Sequence, residues 1–310
     1  MGKKRIGAVA LLMILIVAVS VVITLFTGTV RPEKTGETRI VASFYPVYVA
    51  AMNLTREVEG VQLESLVGPR TGCLHDYQMA PDDMAALEGA DILLLAGAGA
   101  ESFLQSALEQ FPSLVTVDAS QGIDLLDGHH HHEGEDPHEH EEAAVNEHYW
   151  VSPSRYATMV ENLRDGLCSA DPDHAAAYEA NAEAYLDSIR KVEAELEETA
   201  ASLNFRDCIT FHDSVAYLAD DLGLNTVAAL SIGEDSGIAA SDAAAAQQAA
   251  AQAVRVLLLY DSQYPQEYAY VGDRAEESRA VVLQTGVTGP ETADAWLEAM
   301  EENLSQLRAL

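Results

Sequence analysis

The sequence predicts an α/β fold of two lobes, each a parallel sheet flanked by helices, joined by one long helix. Three observations carry this. Short apolar runs alternate with helical patterns from Arg39 to Ser120, and the same alternation returns after Arg206. Between them lies one unbroken helical pattern, from about Pro172 to Leu203. Strands alternating with helices bury both faces of a sheet, which favours parallel pairing.

The elements follow in order. Lys3, Lys4 and Arg5 precede an uncharged run from Ile6 to Phe26. At about 21 residues it exceeds the ~7–15 of a cleaved signal and reaches the ~20 that span a bilayer. Residues 1–38 are therefore a signal or membrane anchor with its linker, retention being favoured, and the chain beyond Thr27 is exported. No cysteine follows the apolar run before Cys73, so lipidation of a mature N-terminal cysteine is not expected.

Residues 39–171 form the first lobe. RIVASF, VQLESLV, DILLLAG and SLVTVD read as strands, and PVYVAAMNLTREV, PDDMAALEGA and ESFLQSALEQ as the helices between them. The rhythm breaks in segment 128–147, GHHHHEGEDPHEHEEAAVNE, which has no apolar face and reads as a loop. Residues 172–204 are the joining helix, more than about 40 Å long at ~1.5 Å per residue, too long for an ordinary crossover. Residues 205–310 form the second lobe: DCITFHD, a helix in SVAYLADDLGL, an alanine-rich helix near Ser241–Ala253, VRVLLLYD, a helix, AVVLQ and a closing helix from TADAW onward.

Composition excludes some functions. With 17 basic against 50 acidic residues and a formal charge of -33, the chain has no basic footprint for nucleic acid. An acidic field of this kind attracts cations. Cys73, Cys168 and Cys208 have no zinc-type spacing, and a Cys168–Cys208 bridge is left open.

The histidines divide into two groups. His129, His130, His131, His132, His138 and His140 sit among carboxylates in the loop and read as a weak, multiple collector of cations. His75, His148 and His212 lie at the ends of strands or connections, and His174 reads as solvated. Ligands of open α/β sheets bind beyond the carboxyl ends of strands, so His75 and His212 are placed to meet in an interlobe cleft. Three neutral imidazoles from separate segments suit zinc.

Several ordered motifs carry a resemblance: VASFYPVYVAA, CLHDYQMAPDDMAALEGADILLLAGAGAESFL, NEHYWVSP, ITFHDSVAYLADDLGL, LLLYDSQYPQEYA and VVLQTGVTGP. From about Arg39 to Leu310 the chain resembles the metal-binding solute-binding proteins of ABC importers, in their zinc-uptake group. That resemblance implies a monomeric, extracytoplasmic protein that is not an enzyme. It would capture Zn²⁺ and deliver it to an ABC permease, with the N-terminal segment meeting the membrane. It places His75, His148 and His212 on ligand positions. His212 stands where manganese-binding relatives usually carry a carboxylate. The histidine-rich loop and the rigid interlobe helix, which limits hinge closure, have counterparts in the family.

One departure follows from the same resemblance. Leu283-Gln284-Thr285 stands where relatives commonly have Leu-Asp-Pro, so the fourth coordination position falls to water, Gln284 or a loop residue. Asp261 is given a role behind the ligands. Asp76 and Asp213, beside ligand histidines, are read as solvated. The alternatives are a manganese or other divalent-metal solute-binding protein, an adhesin that keeps the fold, and a three-histidine zinc hydrolase. The last is disfavoured because no HExxH-like pattern supplies a general base.

Overall fold

The computed structural model describes residues 36–69, 74, 77–128, 145–230, 237–264 and 269–310. The expected anchor segment, Cys73, His75, Asp76 and the six loop histidines lie outside the described residues. Thr38–Leu310 forms one compact unit.

The first sheet contains β1 (Thr38–Ala42), β2 (Val61–Ser65), β3 (Ile92–Leu95) and β4 (Val115–Asp118), in the order β2-β1-β3-β4 and parallel throughout. The second contains β5 (Asp207–Thr210), β6 (Asn225–Ala229), β7 (Arg255–Asp261) and β8 (Glu277–Leu283), in the equivalent order β6-β5-β7-β8, again all parallel. Helix α1 (Tyr45–Leu54) has Pro46 in its first turn, where a missing N–H costs nothing, and is buried nearly all round. The α2 helix (Pro81–Gly89) and the short α3 (Gln105–Leu108) cover the first sheet's other connections. The inner strands are continuous apolar runs because both their faces are covered, as ILLL in β3 and VLLLY in β7 show.

Helix α4 (Pro153–Ala170) leads into α5 (Ala175–Ser202), the 28-residue joining helix. Its buried positions, Tyr178, Ala182, Tyr185, Leu186, Ile189, Val192, Leu196 and Thr199, recur at helical spacing along one stripe. Helices α6 (Ala216–Asp221), α7 (Ala240–Ala250) and α8 (Ala295–Arg308) complete the second lobe. One hydrophobic cluster runs from Ile40 and Leu94 through Trp150, Tyr156 and Ile189 to Leu259, Leu283 and Trp296, so both lobes share a core. Tyr156 stacks on Trp296 at 4.1 Å, and the Trp296 indole N–H donates to the Trp150 carbonyl at 2.9 Å.

Three expectations need correction. Strand β6 is not among the predicted elements; NTVAA is a half-exposed edge with a register shift opposite Cys208/Ile209, so it carries no apolar alternation to read. Where a helix is expected between β7 and β8, the described residues give a single 3₁₀ stretch, Ala269–Arg274. His174 is not simply solvated: it precedes α5, and its Nδ1 meets Asp171 Oδ2 at 2.8 Å. Cys168 and Cys208 are free thiols, the latter buried in β5 against Thr226 Oγ1 at 3.4 Å.

Candidate metal site

The site begins where the strand order of the second sheet reverses, between β5 and β7. Such a reversal opens a crevice at the carboxyl ends of the strands. His212 follows β5 in extended conformation, and Asp261 is the last residue of β7. His148 arrives from the other side, on the connection that precedes α4. The imidazoles of His148 and His212 meet edge to face, ring centres 5.3 Å apart and planes at 81°. Sequence reasoning assigns both to one site, and the fold brings them together from 64 positions apart in sequence (212 − 148). His75 lies outside the described residues, although Tyr77 N–H donates to the Leu74 carbonyl on either side of it at 3.0 Å. Among the described residues no group of three or more His, Cys, Asp or Glu is arranged to hold a metal.

Each ring is held through Nδ1. His148 Nδ1 lies 3.0 Å from Asn146 Oδ1, and the His148 backbone N–H donates to that oxygen at the same distance. The Asn146 amide is oriented by its own Nδ2, which donates to the Asp213 carbonyl at 2.8 Å. An amide oxygen only accepts, so His148 carries its proton on Nδ1 and its lone pair on Nε2. His212 Nδ1 lies 2.8 Å from Ser214 Oγ and 3.0 Å from Ser214 N. Ser214 Oγ donates in turn to Asp261 Oδ2 at 2.7 Å. Tyr264 stacks on His212 with ring centres 4.6 Å apart, and Trp150 tilts against His148 at 5.4 Å.

The surroundings are acidic and buried. Asp261 is 1% exposed, and Glu147 and Asp213 are also buried. The expectation that Asp213 is solvated is therefore wrong: the turn after β5 folds it inward, and its carbonyl anchors Asn146. Burial pushes the partly exposed His212 ring down to a pKa of about 4, and the neighbouring His148 adds to this; Asp261, Asp213 and Glu147 pull the other way. His212 thus stays neutral, as a metal ligand must, well into the acidic range.

Asp261 accepts from Thr285 Oγ1 at 3.0 Å and from Gln263 N at 2.9 Å, so both its oxygens are engaged by neutral donors. Gln284 is tied three ways. Its Oε1 accepts from Ser262 Oγ at 2.9 Å, and its backbone N–H and carbonyl pair with the Asn303 amide. The residues that sequence reasoning misses are Asn146, Ser214 and Thr285. The first two stand two positions from their histidines, a spacing that could have flagged them; Thr285 has no such local signal.

The connection that carries His148 is gripped by the second lobe. Asp127 and Val145 form an antiparallel bridge, and the Tyr217 hydroxyl accepts from Leu126 N–H at 3.0 Å while donating to the Asn146 carbonyl at 2.5 Å.

Two lobes with parallel sheets of matching order thus carry an imidazole pair in a buried acidic crevice. The chain belongs to the family described as zinc-uptake complex component A, periplasmic, whose model matches residues 40–310. It is 27% identical over 303 residues to the zinc-binding lipoprotein AdcA of Streptococcus pneumoniae, covering 90% of this chain and 56% of that protein. It is 26% identical over 261 residues to the zinc-binding protein AdcA of Streptococcus pyogenes, covering 80% of this chain and 48% of that one. The chain thus spans about half the length of these relatives. Among solved structures, the solute-binding protein FpvC of Pseudomonas aeruginosa in complex with Mn²⁺ superposes with a TM-score of 0.73 at 22% identity, covering 88% of this chain and 98% of that one. The Zn(II)-bound ZnuA-like domain of Streptococcus pneumoniae AdcA gives 0.67 at 23% identity, with 88% and 98% covered. At these identities the likeness speaks for the fold.

Proposed function

We propose that this protein captures Zn²⁺ outside the cytoplasm and hands it to an ABC permease, with His75, His148 and His212 as ligands. The observation that carries this reading is the His148–His212 pair, ring centres 5.3 Å apart, each held through Nδ1 by a dedicated partner. Neutral imidazoles select a borderline-soft ion over the harder Mn²⁺. Asp261 stands behind His212, and water or Gln284 completes the coordination. The N-terminal segment holds the protein at the membrane, and the six loop histidines collect cations weakly. The AdcA proteins named as zinc-binding and the family's description support zinc as cargo.

The test is competitive titration of the metal-stripped protein with Zn²⁺ and Mn²⁺, repeated for His75→Ala, His148→Ala, His212→Ala and a deletion of residues 128–142. The reading expects one tight zinc site that each single substitution weakens severely and the deletion spares. Tight binding that survives both His148→Ala and His212→Ala would sink it.

A further inference from the structure

Each ring meets its partner through Nδ1, but only at His148 does that partner fix the tautomer unconditionally. Asn146 Oδ1 can only accept, so the His148 proton is fixed on Nδ1. Ser214 offers His212 two contradictory partners. Its backbone N–H, 3.0 Å from Nδ1, asks that nitrogen to accept, which would put the ring proton on Nε2 and leave no lone pair there for a metal. Its hydroxyl, 2.8 Å from Nδ1, can accept a proton from the ring or give one to it.

What decides the direction is the group behind the hydroxyl. Asp261 Oδ2 lies 2.7 Å from Ser214 Oγ, shorter than the hydroxyl's distance to the ring, and a carboxylate only accepts. The single hydroxyl proton of Ser214 therefore goes to Asp261, and Oγ presents a lone pair to the imidazole. Asp261 is in turn fixed by Thr285 Oγ1 on the same oxygen and by Gln263 N on the other. The cluster is buried: Ser214, Asp261 and Thr285 are each at most 2% exposed.

We propose that Ser214 is a positioning residue, oriented by Asp261 and Thr285, that keeps the His212 proton on Nδ1 and so turns the Nε2 lone pair toward the metal. This rests on the reading of His212 as a ligand. The sense of the relay is a property of the metal-free protein and can be read without any metal. Partners behind a ligating histidine of this kind change metal affinity by roughly 10- to 100-fold when removed.

The experiment uses the full chain, stripped of metal and labelled with ¹⁵N at histidine, with His212 assigned through a His212→Gln difference spectrum. Long-range ¹H–¹⁵N correlation distinguishes the two tautomers. Wild type is expected to show His212 protonated on Nδ1. In Ser214→Ala only the backbone N–H remains, and the proton should move to Nε2, with zinc affinity falling roughly 10- to 100-fold. Ser214→Thr keeps the hydroxyl and should restore both readouts. Should Ser214→Ala fail to fold, Thr285→Val serves instead: it frees the carboxylate to turn and should raise the Nε2-protonated fraction. A Ser214→Ala protein that keeps the proton on Nδ1, or that keeps wild-type zinc affinity, overturns the proposal. If wild type binds no zinc while its tautomer responds as expected, the relay stands and the metal reading falls.

Discussion

The Asn146 side chain donates to the backbone carbonyl of Asp213 at 2.8 Å, so the residue that orients one histidine is itself oriented by the neighbour of the other. The pair is therefore mechanically coupled. Asn146→Ala should remove the acceptor at His148 and one of two donors to the Asp213 carbonyl, which keeps the Ala216 N–H. A loss of about 0.5–1.5 kcal/mol in stability is expected for that hydrogen bond, with a 10- to 100-fold loss in zinc affinity. Chemical denaturation and zinc competition on the same protein check it. Stability loss without affinity loss would uncouple Asn146 from the site.

Two titratable groups, Glu101 and His212, pull the pH dependence of stability in opposite directions. Glu101 accepts from Ser43 Oγ and from the Ala96 and Gly97 N–H groups, yet desolvation by burial raises its pKa to about 7. A carboxyl raised above its unfolded value contributes stability that is present below about pH 4.5 and lost as pH rises through 7. His212 is lowered to about 4, so its contribution is full above about pH 6.5 and lost as pH falls toward 4. Each is worth about 2–3 kcal/mol, His212 at the lower end because it keeps some solvent contact. In metal-free protein, His212→Gln should therefore grow more stable on acidification from pH 7 to 5, and Glu101→Gln less stable, with wild type flatter than either. Denaturant midpoints across that range decide the signs.

Glu101→Gln carries a second expectation. Gly97, one of the donors, lies at φ +77, and a Cβ there would collide with the Asp118 carboxylate. A glutamine amide must turn a donor toward one of the three donors that Glu101 now receives. At pH 7 the variant should lose about 1–3 kcal/mol, read as a lower thermal midpoint.

Tyr260 and Asp221 hold the two buried side-chain polar atoms without a hydrogen-bond partner among the described residues. The Tyr260 ring is well used, stacked on Phe211 at 4.1 Å directly before His212, but its hydroxyl is not. Tyr260→Phe should leave stability unchanged or raise it by about 1 kcal/mol, and should leave zinc affinity intact. A marked loss of affinity would mean that the hydroxyl acts on the site.

The fold was legible where burial leaves a signature. Strands β3 and β7 are buried on both faces and read as unbroken apolar runs, and α5 shows its stripe from Tyr178 to Thr199. Strand β6 was not legible because an edge of Asn, Thr and Ala has no pattern to detect. At the site, the ends of strands and connections marked His212 and His148. Thr285 reaches Asp261 across 24 positions through strand pairing, a relationship that only the folded sheet creates. The burial of Asp213 depends on the turn after β5, which its own neighbours in sequence do not announce.

The shared core has a consequence for time rather than for geometry. Swinging the lobes apart like a clamshell would expose Trp150, Tyr156 and Trp296, each worth about 4–6 kcal/mol at ~25 cal/mol per Å² over 150–250 Å². Such an excursion is too rare to serve as the route for exchange. On the proposed reading, an ion held between His148 and His212 would instead leave through small local movements of the short connections that carry those residues. Its dwell time would then be governed by the breaking of individual coordination bonds, and a receiving protein would speed release by displacing one of those connections while the body stays shut.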